Sequence, residues 1–393
     1  MREIVRVERK RILNRKIFAL IIIVGLAFSI FSAVKNFNSY NVYDSSGKVV
    51  ISAKENLAES KKVEHNVLLD YELLTDIVNE VDKSNYLYNI NTIRLLLATY
   101  QDKNISELTQ HDIEHFYEQR IHSIEFAALR PLDIFTEEQI EHLKMKTSKI
   151  ETPLPIGYSE GWKNLNNDMS NLLFIVLLIL SVLLLQVFGG SEKTNMNELC
   201  NSTRHGKTML IKAKMIAGLE IASIVYFSLV IMLTIIQLLV FGANGYNLAI
   251  QSDPFYFVSS WNLTFLEQYL LNIFIGYVAI IFMTVTIFFF TVITEKIMAG
   301  GVLTTFFWIF MLTLPSNLFT SFGITHNLSN FFPYNMTNFN RLSRNNEIYE
   351  VFGQMIPSYL WIVMVVLSVT IGIVLSTYMI ATFKLSKKHL MKN

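Results

Sequence analysis

The chain has 393 residues, of which 52% are hydrophobic and 17% are charged. A soluble domain is about 45–50% apolar and about 25% charged, so this composition excludes an ordinary soluble enzyme and a disordered chain. The single cysteine, Cys200, excludes an intrachain disulfide and a Cys-rich metal site. The formal net charge of +1 acquires meaning only when its distribution along the chain is considered.

Six apolar segments are long enough to cross a bilayer core of about 30 Å, which takes about 20 helical residues. The first segment resembles a signal peptide, but Lys35 follows it and no small-residue cleavage site precedes the polar stretch, so we expect a retained anchor. The chain is therefore predicted to be an all-α polytopic membrane protein. Its six transmembrane helices are expected at residues 17–34, 171–190, 215–241, 269–293, 297–319 and 358–383.

Residues 35–168, between the first two segments, form a polar domain with 22 Asp and Glu against 14 Lys and Arg. Basic residues elsewhere concentrate at residues 1–16, at 191–214, at Lys296 and in the tail 384–393. A six-helix topology puts these four regions on one side, which the positive-inside rule makes cytoplasmic. We therefore expect cytoplasmic N- and C-termini and an extracellular, mainly helical domain.

Within the domain, Asn41–Ser52 predicts a hairpin with a Ser-Ser-Gly turn. Apolar residues at helical spacing predict a helical stretch from Ala53 through Val67/Leu68 and Tyr71 to Val81, a second helix at Asn89–Tyr100 and a third from 106 to 129. A capping box at Thr136–Gln139 opens a fourth helix. The Pro and Gly residues of 151–168 predict an extended linker back to the membrane.

Two motifs suggest chemistry that we do not expect. His111, His115 and His122 share a helical face at a spacing that can bind zinc, but a solvated polar face explains them more simply, and we predict no metal site. The stretch 201–208 ends in Gly-Lys-Thr, but a phosphate loop needs glycine where Asn201 stands and a preceding strand. We therefore predict that the chain has no nucleotide site, is not itself an enzyme and does not bind nucleic acid.

The segment 191–214 carries a family resemblance. Phe188-Gly-Gly-Ser-Glu192, Asn197–Lys207 and Leu210–Lys214 together resemble the first cytoplasmic loop of type-two ABC exporter permeases, which have the type V fold. The N-terminal Val7–Leu13 is similar to the interface helix of that family. The domain resembles the extracellular insert of permeases from Gram-positive bacteria through Tyr43-Asp44, Gly47 and Gly161-Trp162.

The resemblance implies the transmembrane permease subunit of an exporter in a bacterial cytoplasmic membrane. Its partners would be two copies of an ABC ATPase that binds ATP and Mg²⁺, a second permease (the same or homologous) and membrane lipid. The substrate would be amphipathic: an antimicrobial or lantibiotic-like peptide, a drug or a lipid. The implied ATPase-coupling residues are Glu192, Glu198, Leu199, Arg204, Lys207, Lys212 and Lys214, and the implied interface-helix residues are Glu8, Lys10 and Leu13.

The residues alone leave alternatives open. The basic loop suits ATPase docking, but its charges also serve as topology determinants. Ile4, Val5, Ile12 and Leu13 lie roughly on one side of the N-terminal helix, as in a helix lying on the inner leaflet. A mechanotransmission subunit and a peptide sensor or immunity protein without transport remain rival functions.

Residues 320–357 are too apolar for a simple loop and suit an extracellular re-entrant helical region. Their aromatic residues either line a substrate path or form an interfacial belt: Phe331, Phe332, Tyr334 and Phe339. Glu220, inside the third segment, is a second candidate for the substrate path, although pairing with Lys214 or an N-terminal arginine is the simpler explanation. Gln186 and Gln237 are expected to form hydrogen bonds between helices.

Overall fold

The computed structural model describes residues 1–62, 67–79, 87–128, 135–189, 206–313, 328–344 and 346–390. The chain is mostly helical. In chain order the helices are α1 (Arg2–Ile12), α2 (Arg15–Ser39), α3 (Ala53–Ser60), α4 (Tyr71–Asn79), α5 (Leu87–Thr99), α6 (Gln110–Glu114), α7 (Phe116–Ala128), α8 (Glu137–Thr147), α9 (Glu160–Leu183), α10 (Gln186–Gly189), α11 (Gly206–Phe241), α12 (Phe265–Thr294), α13 (Ile297–Thr313), α14 (Pro333–Met336), α15 (Phe339–Arg344) and α16 (Ser358–Leu390).

Short antiparallel hairpins and one long-range strand pair complete the described secondary structure. The strands are β1 (Val42–Tyr43), β2 (Val49–Ile51), β3 (Val67–Leu68), β4 (Pro155–Ile156), β5 (Ile348–Val351) and β6 (Gln354–Pro357). β1 pairs with β2, β3 with β4, and β5 with β6.

Five helices in the described ranges are long and apolar enough to cross a membrane, which gives the chain the character of a polytopic membrane protein. They are α2, α9 with its continuation α10, α11, α12 and α16. α12 packs against α9 and α16, and α11 packs against α2 and α9. Their facing side chains form one large apolar core, in which Tyr226, Phe265 and Phe288 are fully buried.

The fifth predicted segment, 297–319, is shorter than expected in the described range. α13 has 17 residues, which corresponds to about 25 Å of helix, less than the bilayer core of about 30 Å. The remaining positions of that prediction, 314–319, lie outside the described residues. The described chain therefore supports five membrane-crossing helices, and the count of six stays a prediction.

The two ends of the bundle differ. At one end, here the α1 end, Lys384 near the end of α16 meets the last carbonyls of α12, and Gly189 packs against Ile297. At the opposite end, here the domain end, Tyr158 Oη donates to the carbonyl of Phe241, 2.7 Å away, at the end of α11. The polar domain packs on the domain end through three smaller apolar clusters.

Residues 328–344 pack against the helices of the bundle. α14 packs against α12 and α13, and α15 packs against α9. The backbone N–H of Phe339 donates to Ser170 Oγ at 3.3 Å, and the Phe339 ring is buried. The prediction of helix up to 357 is wrong at its end, because 348–357 folds as the β5–β6 hairpin around a turn at Phe352-Gly353, where both residues have positive φ.

Local predictions in the domain are partly confirmed. The β1–β2 hairpin with Gly47 in its turn, the helix α5, and α8 with its Thr136 capping box all form where predicted. The helical stretch predicted from Ala53 to Val81 is wrong as one element, because α3 ends at Ser60 and Val67–Leu68 forms a strand, but its last part is confirmed by α4 at Tyr71–Asn79. That strand pairs with Pro155–Ile156, a partner about 90 positions away that helical spacing cannot reveal.

The predicted third helix is also wrong as one continuous element. A 3-10 turn at Ile105–Glu107 precedes it, and Thr109 begins α6 with a capping box. α6 ends at Glu114, and α7 begins at Phe116. The break means that His111 and His122 do not lie on one continuous helix, although the rings of His111 and His115 stack with centroids 4.1 Å apart.

The linker predicted at 151–168 is shorter than expected. β4 occupies Pro155–Ile156, and α9 begins at Glu160, well before the predicted start at 171. Trp162, Asn166 and Asp168 are therefore helical and buried. Hydropathy misses this first part of the helix because its polar side chains are satisfied by other helices rather than by water.

Candidate functional site

The N-terminal helix α1 lies against the start of α11. Val5 packs with Ala213 and Ala217, whose small side chains let the two helices approach closely. Ile12 is fully buried in the main core of the bundle. After α1, Asn14 accepts hydrogen bonds from the backbone N–H groups of Lys16 and Ile17 and so begins α2.

One ion pair and one hydrogen bond to neighbouring helices fix α1 in this position. Arg9 Nη1 lies 2.8 Å from Glu220 Oε2 in α11, and each side chain is 39% exposed. Arg11 lies 2.7 Å from Glu8, which is only 2% exposed, and also donates to the carbonyl of Gln186 at 3.1 Å. α1 is thereby bound to both α10 and α11, and the prediction that Glu220 pairs with an N-terminal arginine is confirmed.

These contacts lie on both sides of the loop 190–205, which contains four of the predicted coupling residues. α10 ends at Gly189 and α11 begins at Gly206, and α1 contacts both helices. Four predicted coupling residues lie between them, outside the described residues: Glu192, Glu198, Leu199 and Arg204. Lys207 is described only as part of the α11 backbone.

The remaining predicted coupling residues occupy different environments. Lys212 is exposed, and its Nζ lies 5.6 Å from the ring centroid of Tyr378 in α16. Lys214 is buried, so its side chain does not form part of an exposed docking surface. Of the three predicted interface-helix residues, Glu8 and Leu13 pack against the bundle, and Lys10 is exposed.

The C-terminal helix is bound to the same end. Lys384 Nζ donates to the carbonyls of Val292 (3.2 Å) and Ile293 (2.5 Å) and lies 3.3 Å from Glu295. The last carbonyls of a helix have no partner within it, so a lysine there satisfies them and favours the negative end of the helix dipole. The α1 end therefore links α1, α10, α11, α12 and α16.

The predicted aromatic residues pack inside the bundle. Phe332 meets the edges of Phe307 and Phe310, and Tyr334 meets Phe174 and Trp308. Phe331 is half-buried beside the same core, and Phe339 lies close to Gly276. Phe332 and Tyr334 come together with α13, whereas Glu220 lies at the α1 end, so the structure does not bring all five substrate-path candidates together.

Sequence reasoning missed Asp168. Its Oδ2 accepts from Asn36 Nδ2 of α2 and from Gln237 Nε2 of α11, both at 2.7 Å. Asp168 thus joins α2, α9 and α11, and the predicted interhelical hydrogen bond of Gln237 is confirmed. The sequence signal that could have revealed Asp168 is its spacing of four from Asn164. That spacing extends the helix of the second apolar segment toward the N-terminus.

A second polar network joins the bundle to the domain. Tyr40 Oη donates to Glu160 at 2.7 Å and accepts from Asn164 at 2.8 Å, and Lys163 lies 3.1 Å from Glu160. Burial and the nearby Glu160 carboxylate raise the pKa of the Tyr40 hydroxyl well above its usual value. Tyr40 therefore remains a hydrogen-bond donor at any physiological pH.

Arg120 attaches the domain to the segment between α11 and α12. It is 1% exposed, and it donates to the carbonyls of Phe257 (2.9 Å) and Ser259 (3.2 Å). Burial lowers the pKa of its guanidinium to about 10, so it stays charged at neutral pH. Phe257 in turn packs into the core of the domain, so domain and bundle share apolar contacts as well.

Comparisons with family models, with curated proteins and with solved structures gave no match.

Proposed function

We propose that the chain is the membrane-spanning permease subunit of an ATP-driven ABC exporter, powered by a separate ATPase. The observation that carries the proposal is the position of α1, bound through Arg9–Glu220 to α11 and through Arg11 to the end of α10. α1 thereby holds both flanks of the loop 190–205 in one unit. An ATPase that moves this loop would move the α1 end of the bundle with it.

In this proposal the α1 end faces the cytoplasm of a bacterial cell and the polar domain lies outside. ATP and Mg²⁺ are bound by two ATPase copies, which close on the coupling residues around Arg204. The movement travels along α9 and α11 to the domain end, where Asp168 binds Gln237 and Asn36. A second permease, the same or homologous, completes the transporter.

The proposed substrate is amphipathic: an antimicrobial or lantibiotic-like peptide, a drug or a lipid. Support comes from the aromatic cluster in which Phe307 and Trp308 of the short helix α13 pack against Phe332 and Tyr334. Displacement of α13 would expose Phe332 and Tyr334 to a substrate with apolar and polar parts.

A mechanotransmission subunit is the second candidate, because the domain is bound firmly to the bundle. Buried Arg120 and the Tyr40–Glu160 pair would transmit a movement of the helices to the domain without any transport. Such subunits typically have four membrane-crossing helices, and the five helices of the described chain favour the exporter.

Purification of the tagged full chain from its host membranes in mild detergent tests the proposal. We expect an ABC ATPase to co-purify, and Arg204→Glu to reduce both its recovery and substrate export. Lys54→Glu, an exposed change in the domain, is the matched control and should alter neither. Recovery without any ATPase, together with normal export by Arg204→Glu, would refute the proposal; ATPase recovery without export would favour the second candidate.

A further inference from the structure

An exposed basic surface surrounds the junction of α1 and α2. Arg2, Arg6 and Lys10 recur every four residues on α1 and therefore share one face, and all three are exposed. Arg15 and Lys16, in the first turn of α2, are exposed as well. We call these five residues the basic rim.

The apolar face of α1 does not have a bilayer as its partner. Sequence reasoning expected that face to lie on a leaflet, but Val5 packs with Ala213 and Ala217, and Ile12 is buried in the bundle. Exposed Arg2, Arg6 and Lys10 point away from those contacts. Association of α1 with a membrane surface therefore rests mainly on these charges, since Val7 is the one strongly exposed large apolar side chain of the helix.

Arg15 and Lys16 of the rim lie at the start of a helix that is long enough to cross a bilayer. α2 has 25 residues, so it is about 37 Å long, which exceeds a bilayer core of about 30 Å. Lys16 precedes Leu20 and Val24 by four and eight residues, and these exposed apolar side chains form the outer stripe of α2. Lys16 is thus in line with the stripe that faces lipid, one turn beyond it.

The rim lacks acidic partners within the described ranges. Arg2, Arg6, Lys10, Arg15 and Lys16 form no ion pair there, whereas Arg9 and Arg11 of the same helix do. Glu3 is the one acidic residue on the exposed side of α1, so the surface is strongly cationic. Phosphate groups satisfy arginine and lysine well, and each such residue near an anionic surface strengthens binding about fivefold.

We propose that the basic rim binds the phosphate head groups of anionic phospholipids in the leaflet at the α1 end. Lipid bound there holds α1 and the start of α2 at the bilayer surface. This inference does not depend on the proposed function, since it requires no ATPase.

The test titrates the purified full chain with phosphatidylglycerol or phosphatidylcholine and counts bound lipids by native mass spectrometry. The wild type should prefer phosphatidylglycerol. In a variant with all five rim residues changed to Gln, the preference for phosphatidylglycerol over phosphatidylcholine should be at least tenfold smaller. The matched control, with Lys48, Lys54 and Lys149 of the domain changed to Gln, should keep it, because those exposed residues lie at the other end.

Two further arms do not depend on the folding of the five-Gln variant. Raising the salt concentration should weaken the preference of the wild type, since screening acts on exposed charges. The conservative variant Lys10→Arg/Lys16→Arg should bind as the wild type does. An unchanged preference for phosphatidylglycerol in the folded five-Gln variant would overturn the inference. If that variant instead lost ATPase recovery but kept its bound lipid, the rim would be a protein-docking surface, and the inference would also be overturned.

Discussion

The guanidinium of Arg9 lies 2.8 Å from the carboxylate of Glu220, and this contact joins the N-terminal helix to the third apolar helix of the chain. Both side chains are more than a third exposed, so the pair contributes no more than about 1 kcal/mol to stability. Its importance is geometric, because it fixes the position of α1 on α11.

Arg9→Glu places two carboxylates together and should release α1 from α11. We expect faster proteolysis of the N-terminal residues with little change in the melting temperature of the bundle. Lys54→Glu, an exposed change in the domain, is the control and should leave proteolysis of the N-terminal residues unchanged. The double variant Arg9→Glu/Glu220→Arg should restore resistance; failure of that rescue would show that another contact positions α1.

Arg120→Met should loosen the domain from the bundle, because the buried carbonyl of Phe257 loses its donor, whereas that of Ser259 keeps the side-chain amide of Gln251. An unsatisfied buried acceptor costs about 1–3 kcal/mol, so we expect a loss of about that size. Hydrogen exchange should rise around residues 257–259, and the melting temperature should fall. Lys54→Met, an exposed helical change of similar size, is the control; equal effects of the two variants would contradict this account of Arg120.

Tyr117 should make the domain sensitive to alkali. Its Oη donates to the carbonyl of Leu69 and accepts from the N–H of Leu154, and burial raises its pKa to about 12 from the usual 10. Because the folded-state pKa is the higher one, this contribution to stability is complete below pH 10 and is lost as the pH rises to about 12. The loss is of order 2 kcal/mol.

Melting temperatures at pH 8 and pH 11 measure this effect. Tyr117→Phe should be less stable than the wild type at pH 8, since it loses two hydrogen bonds, but should lose less stability between the two pH values. Tyr43→Phe, at an exposed position, should decline as the wild type does. Parallel declines of Tyr117→Phe and wild type would contradict the assignment.

Gly161→Ala should destabilise the junction of α9 and α11. A Cβ at Gly161 would lie 1.9 Å from the carbonyl oxygen of Gly242, and backbone cannot yield as a flexible side chain can. We expect a cost of about 1–3 kcal/mol, visible as a lower melting temperature. Gly372→Ala is the matched control, because a Cβ there meets no atom within 4 Å; a cost as large at that position would refute the steric explanation.

Local signals predicted much of the fold. Long apolar runs predicted six membrane-crossing helices, of which five have the required length in the described residues, and capping residues such as Thr136 predicted helix starts. Strand pairing between segments far apart in sequence was not predictable from local signals. Val67–Leu68 has helical spacing, yet it forms a strand because Pro155–Ile156 lies beside it. Asp168 escaped attention for a similar reason, since its amide partners come from two distant helices.

The candidate site was likewise predictable from the sequence only in part. A charge in an apolar segment and a basic N-terminus predicted the pairing of Glu220 with an arginine. The burial of Glu8 and Lys214 was not predictable from charge alone, because burial depends on which face of α1 or α11 meets the bundle. Arg120 gave no local signal, since its partners are backbone carbonyls.

Photo-crosslinking from the loop between α10 and α11 tests the central proposal most directly. With a photoreactive amino acid at Leu199, irradiation of host membranes should attach the chain to a protein that sequencing identifies as an ABC ATPase. The same amino acid at exposed Tyr43 in the domain should attach no ATPase. Absence of an ATPase adduct from position 199, or equal adducts from both positions, would contradict the proposal.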